Sequence, residues 1–125
     1  MPFLSDVRYA TMVYDVGTMA FVPWDGSISV GSQAASTATV TSVADTASSA
    51  TLLSANTDRL GGSIFNDSTA ILYVRYGTSA ASTTSYTVQV PPNWMHPILA
   101  NYTGQINGIW ATDPGTGAAR ITELT

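Results

Sequence analysis

Apolar and polar positions along the chain fall into short runs with the two-residue period of β-strands, punctuated by Gly, Pro, Asn and Asp. Residues 10–16 and 19–24 are two apolar runs separated by Gly17-Thr18, a pattern that predicts a hairpin. Pro23 cannot donate to a ladder, so the second run belongs at a sheet edge or is cut short, and Asp25-Gly26 turns the chain again. Residues 51–54 predict a short strand. Residues 63–65 and 70–76 predict a hairpin around the polar tetrad Asn66-Asp67-Ser68-Thr69. In the second of these runs Leu72, Val74 and Tyr76 point one way and Ile71, Tyr73 and Arg75 the other, so both faces are largely apolar and the strand should be central. The segment 77–84, GTSAASTT, reads as a flexible loop. Tyr86, Val88 and Val90 alternate with Ser85, Thr87 and Gln89 as in a half-buried strand that Pro91-Pro92-Asn93 ends. Residues 94–99 are apolar but interrupted by Pro97. Residues 106–112 predict another strand, with Gly108 as a bulge or a close-packing point. Residues 113–117 form a strong turn, and residues 120–124 close the sheet.

No segment sustains the 3.6-residue period of a helix. Strands about 8–12 residues apart, joined by Gly/Pro turns, predict an all-β fold: an antiparallel β-sandwich or a jelly-roll-like barrel carrying an N-terminal hairpin or arm. Three zones follow: 1–31 as the arm, 32–49 as a Ser/Thr/Ala-rich stretch, and 50–125 as the sandwich. The middle zone has almost no large side chains. It reads as an extended linker, as an arm on a neighbouring subunit, or as an edge strand, since residues 39–43 alternate polar and branched side chains.

Composition sharpens this picture. The chain has 125 residues, enough for one ordinary domain. Charged residues are only 10%, well below the roughly 25% usual for soluble proteins, and Ser and Thr supply the polarity instead. A surface so poor in charge has little repulsion to keep copies apart and suits a protein packed against others. There is no Lys, and the net charge is −4, so no basic patch is available to track a phosphate backbone; nucleic acid is not an expected partner. No run approaches the roughly 18 apolar residues of a membrane span, and the opening Met-Pro-Phe-Leu-Ser-Asp lacks the features of a signal peptide. With no Cys, disulfide and thiolate chemistry are out of reach.

Candidate chemistry is thin. His96 is the only histidine and sits between Met95 and Pro97 in an apolar stretch; a packed or subunit-contact role suits it better than catalysis, which needs an orienting partner and a nucleophile. Asp15, Asp25, Asp45, Asp58, Asp67, Asp113 and Glu123 could in principle pair as glycosidase acids, but most stand beside Gly, Pro, Asn or Ser, where carboxylates cap turns. No calcium-loop pattern appears, no metal site or cofactor is expected, and the chain does not read as an enzyme. Asn66-Asp67-Ser68 and Asn101-Tyr102-Thr103 match the N-glycosylation pattern, which counts only in a secretory setting. Trp24, Trp94 and Trp110, with six tyrosines, could stack on sugar rings or anchor a β core and subunit interfaces.

The stretch RLGGSIFNDSTAILYVRYG, followed by TSYTVQVPP and YTGQINGIWATDPGTGAARITEL, resembles a small β domain that recurs in tailed-bacteriophage virion proteins. The segment YDVGTMAFVPWDGSISVG resembles an N-terminal module of such phage structural proteins. The resemblance implies a virion component made in the host cytoplasm: a capsid decoration or cement protein on the outer shell, or a head-fibre or tail-associated protein. A decoration protein would bind the major capsid protein as a homo-oligomer, a trimer being the first expectation. The N-terminal arm would make the contact with the shell or a neighbouring subunit, through Tyr14, Phe21, Trp24 and Asp25. A fibre module would instead recognise a host receptor or glycan.

Overall fold

A computed structural model describes residues 12–15, 20–23 and 33–125. The chain divides into two compact units, Met1–Ser32 and Gln33–Thr125. In the first, β1 (Met12–Asp15) and β2 (Ala20–Pro23) pair antiparallel, with Tyr14 opposite Phe21. The expected turn at Gly17-Thr18, and Trp24 and Asp25, lie outside the described residues.

The second unit contains eight strands: β3 (Ala38–Ala44), β4 (Ala50–Leu53), β5 (Gly61–Asp67), β6 (Leu72–Tyr76), β7 (Val88–Val90), β8 (Met95–Pro97), β9 (Ile106–Trp110) and β10 (Ala118–Leu124). They form two antiparallel four-stranded sheets, sheet I in the order β3-β10-β5-β8 and sheet II in the order β4-β9-β6-β7. The order has a simple origin. Fold β3–β6 back against β7–β10 as one long hairpin, and the partners are β6 with β7, β5 with β8, β4 with β9 and β3 with β10. All four pairs are present. Rolling that hairpin adds β10–β5 and β9–β6. This is the strand order of a jelly roll.

Rolling makes nearly every connection cross between sheets; only β6 and β7 are consecutive neighbours in one sheet. The hairpin expected around Asn66–Thr69 is therefore a crossing. β5 runs on through Asn66 and Asp67 in sheet I, and the chain re-enters sheet II at Leu72. The polar tetrad looks like a turn because Asn, Asp and Ser also serve wherever the chain must leave a ladder with its polar groups satisfied. The Asn66 side chain is fully buried. Its Nδ2 donates to Ala70 O and Val90 O, both at 2.8 Å, and its Oδ1 accepts from Ser68 Oγ at 2.7 Å and Trp110 Nε1 at 3.2 Å. One amide thus ties the end of β5 to three segments of or beside sheet II.

The core between the sheets comprises Leu52, Leu53, Ile64, Leu72, Val74, Val90, Ile98, Ile106, Trp110 and Ile121. Leu72 and Val74 on β6 face it, and β6 lies between β9 and β7, the central position its two apolar faces predict. Gly108 is a close-packing point: a Cβ there would stand 2.7 Å from Leu52 Cδ1. Beyond the other end of the core, Arg59 is buried, its Nε donating to Glu123 Oε2 at 2.7 Å and its Nη atoms to the carbonyls of Ser54, Tyr102 and Gly104.

Of the readings open for the Ser/Thr/Ala-rich stretch, the edge strand is the one present: β3 pairs with β10, and Thr37 and Thr125 exchange reciprocal backbone hydrogen bonds at its start. Two further expectations change. Residues 120–124 belong to a longer strand, β10, which lies inside sheet I rather than at its margin. The strand expected from Tyr86 begins only at Val88, because Tyr86 and Thr87 belong to the connection that leaves β6.

Replacing Asn66 by Ala strands the Trp110 indole N–H and takes the amide donor from Val90 O, while Ala70 O keeps the Ser68 hydroxyl. We expect a loss of about 3 kcal/mol, read as a fall in Tm of roughly 15 °C for a unit of this size. Asn66→Asp should be worse, since a carboxylate cannot donate to Ala70 O or Val90 O and would be buried unpaired.

Candidate functional site: the outer face of sheet I

Directly opposed residues in an antiparallel pair share a face, so the registers of sheet I give its outer surface row by row. One row reads Val40, Thr122, Ser63, Pro97; the next reads Ser42, Arg120, Phe65, Met95. Leu124, the last residue of β10, and Leu99, two residues past β8, continue the outward set. The inward set alternates with these: Ile121 and Ile64 are buried, and His96 lies opposite Ile64. An antiparallel sheet with one face in solvent normally alternates apolar-in with polar-out. Here half of the two rows is apolar: Val40, Phe65, Met95 and Pro97 stand outward among Ser42, Ser63, Arg120 and Thr122. Val40, Met95 and Leu99 are each more than half exposed. The charge placed among these rows is a single ion pair, Arg120 Nε to Asp67 Oδ2 at 3.0 Å, with Arg120 Nη1 also reaching Ser42 Oγ.

Sheet II shows the contrast. Three of its outward residues, Tyr73, Arg75 and Asn107, meet the 77–87 connection. Asn107 Nδ2 donates to Gly77 O and Ser79 O, Arg75 Nη1 donates to Ala80 O and Ser85 Oγ, and Tyr86 meets Tyr73 edge-on with ring centroids 4.8 Å apart. Ala81 within the connection is buried, and its N–H donates to Ser49 Oγ. The segment read as a flexible loop is thus pinned down as a cover. The second unit thus lays its own chain over the outer face of sheet II, while Val40, Met95 and Leu99 on the sheet I side stand exposed.

No protein-family model, curated protein or solved structure matches this chain.

The strand that carries Met95 and Pro97 is only three residues long and is held from beneath. Tyr76 Oη accepts the Leu99 N–H at 3.1 Å and shares a second hydrogen bond with His96 Nε2, 2.9 Å away. The Tyr76 ring also packs on Tyr102, centroids 4.8 Å apart. Through its bond to Tyr76, His96 joins β8 to sheet II. Burial holds its pKa below the usual 6.5, and burial first of all raises that of Tyr76.

The candidate residues read from the sequence scatter. Tyr14 and Phe21 are paired across β1 and β2, in the other unit; Trp24 and Asp25 lie outside the described residues. Asp45 is buried and accepts the Gly117 N–H at 2.9 Å, Asp67 pairs with Arg120, and Glu123 pairs with Arg59. Asp58 and Asp113 are exposed, and no group of three His, Cys, Asp or Glu able to hold a metal forms among the described residues. Trp110 is a core residue, which leaves Trp94 and Tyr86 as described aromatics that a ligand could reach. Asn66 is closed to glycosylation by burial, whereas Asn101 is exposed. The outer face itself went unread in the sequence. Its trace there is Phe65 beside Ile64, two apolar neighbours that must point to opposite sides of one strand.

Protonating His96 places a cation in a half-buried site. Its folded pKa lies below its unfolded value, so the stability it contributes is complete above pH 6.5 and is lost as pH falls from there through the lowered pKa. Denaturant melts from pH 8 to pH 5 should show this decline, and His96→Gln should flatten it.

Proposed function

We propose that this protein is a structural component of a tailed-phage virion, a capsid decoration or cement protein that seats the outer face of sheet I against the shell. The observation that carries the reading is the group of apolar side chains Val40, Phe65, Met95, Pro97 and Leu99 on the outer surface, where the charge is one ion pair, Arg120 with Asp67. Exposed apolar patches of this kind on otherwise soluble domains mark interaction sites. Low overall charge, the resemblance of the strand-forming segments to phage structural domains, and a jelly roll, a fold used in viral shells and in lectins, support it. The partner is then the major capsid protein, and the protein acts as a homo-oligomer, a trimer in the simplest form. The N-terminal hairpin, a compact unit of its own, supplies a second attachment through the segment that includes Tyr14, Phe21, Trp24 and Asp25.

Electron cryomicroscopy of virions carrying the protein tests this. Density for the chain should stand at regular positions on the icosahedral shell, with sheet I facing the capsid. In add-back experiments on stripped particles, Met95→Glu with Leu99→Glu should reduce occupancy at least about tenfold, since each buries an unpaired charge at the contact. Deleting residues 1–31 should leave a folded second unit that no longer decorates. Full occupancy by both variants would overturn the assignment.

One observation favours a second reading, a fibre module recognising host glycans: Trp94 stands two-thirds exposed beside Asn93, whose φ is 64°. An exposed indole is a stacking platform for a sugar ring. A glycan array should then give hits that Trp94→Ala abolishes, and an array without hits removes this reading.

A further inference from the structure

A β-sheet edge offers unpaired N–H and C=O groups to any strand that can reach it, and natural sheets guard such edges. Three of the four edges in the two large sheets are guarded. β4 has four residues and a register shift between Thr51 and Leu53. β7 has three residues and runs straight into Pro91. β8 has three residues and ends on Pro97. The fourth edge, β3, has seven residues, Ala-Thr-Val-Thr-Ser-Val-Ala, with no charge, no Pro and no shift in its register with β10.

The direction of its free groups can be read from the ladder. Thr37 and Thr125 exchange both backbone hydrogen bonds, and Asp45 N donates to Gly117 O. In an antiparallel pair the exchanging positions alternate, so Thr39, Thr41 and Val43 bond to β10. Ala38, Val40, Ser42 and Ala44 therefore turn their N–H and C=O groups outward. Val40, at 67%, is the most exposed large hydrophobic residue described.

We infer that β3 is a self-pairing edge, at which a second copy of this chain adds its own β3 antiparallel across a two-fold axis at Thr41. That register is the one in which all seven residues pair: Ala38 with Ala44, Thr39 with Val43, Val40 with Ser42, and Thr41 with its symmetry mate. Each outward group then meets an outward group of the other copy. Threonine opposite threonine is a favourable cross-strand pair. Charge permits it as well: β3 brings no charged side chain to the seam, although the chain carries a net charge of −4. The result is a continuous eight-stranded sheet in which the outer faces of sheet I in the two copies join.

Area sets the strength. A seven-residue strand is about 24 Å long and a two-layer sandwich is about 10 Å thick, so this edge hides only a few hundred Å² per copy. That is below the roughly 1,200 Å² total of a stable interface. Free chains should therefore pair weakly, and copies held side by side on a common surface should pair well, because tethering raises their effective concentration to about the millimolar range. The inference stands without the virion reading.

The test is sedimentation equilibrium of the full chain from about 10 μM to about 1 mM, a ceiling chosen to match the effective concentration of tethered copies, with amide hydrogen exchange at both ends of the range. Mass should rise towards a dimer. The amides of Val40, Ser42 and Ala44 should exchange fast in dilute solution and become protected in concentrated solution, while those of Thr39, Thr41 and Val43 stay protected throughout. Val40→Pro removes an outward N–H and leaves the β10 ladder intact; it should weaken pairing at least about tenfold. Ala44→Lys, which adds a gatekeeping charge without touching the backbone, should do the same. A monomer at 1 mM, outward amides that stay fast, or an oligomer indifferent to both substitutions would each overturn the inference.

Discussion

The Asn66 side-chain amide is the junction on which the two sheets depend. A jelly roll sends its chain from one sheet to the other at nearly every connection, and each crossing leaves backbone groups near the core without a ladder. At the end of β5 a single amide supplies the missing partners, reaching Ala70, Val90 and Trp110 and accepting from Ser68. Every polar atom of the amide is used, and a buried network of this kind specifies one arrangement because any alternative strands its members. The core residues would tolerate several packings of similar volume; the hydrogen bonds of Asn66 would not.

Arg59 does related work beyond the other end of β5. It gathers the carbonyls of Ser54, Tyr102 and Gly104 and the carboxylate of Glu123 around one guanidinium. Removing an ion from water is costly enough that such a pair adds little net stability. Its geometric effect is larger: the Ser54 segment, residues 102–104 and the end of β10 are held at fixed distances by a planar fork. The sandwich is thus tied at two ends by polar side chains and filled between them by aliphatic ones.

Strand existence was legible in the sequence, and pairing was not. Alternation around Leu72, Val74 and Tyr76 announces a central strand because both faces of β6 are covered, one by the core and one by the 77–87 connection. Asn66-Asp67-Ser68-Thr69 has the composition of a tight turn, yet its decisive partner, the Trp110 indole, lies 44 residues away. Nothing local distinguishes a turn within one sheet from a crossing between two. The outer face of sheet I was hidden for a similar reason. Its members come from β3, β5, β8 and β10, and only the register brings Val40, Phe65 and Met95 onto one surface. Arg59 gave no signal at all, since a lone arginine in a polar stretch looks like a solvated one.

The reciprocal bonds between Thr37 and Thr125 have a mechanical side. They place the entry into β3 and the exit from β10 at the same corner, on adjacent antiparallel strands. Tension applied between residues 33 and 125 would open that ladder like a zipper, one hydrogen bond at a time. Load entering through the broad face of sheet I would instead be shared by all four strands at once. The same body is therefore weak to peeling from its ends and strong to pressure on its flat side.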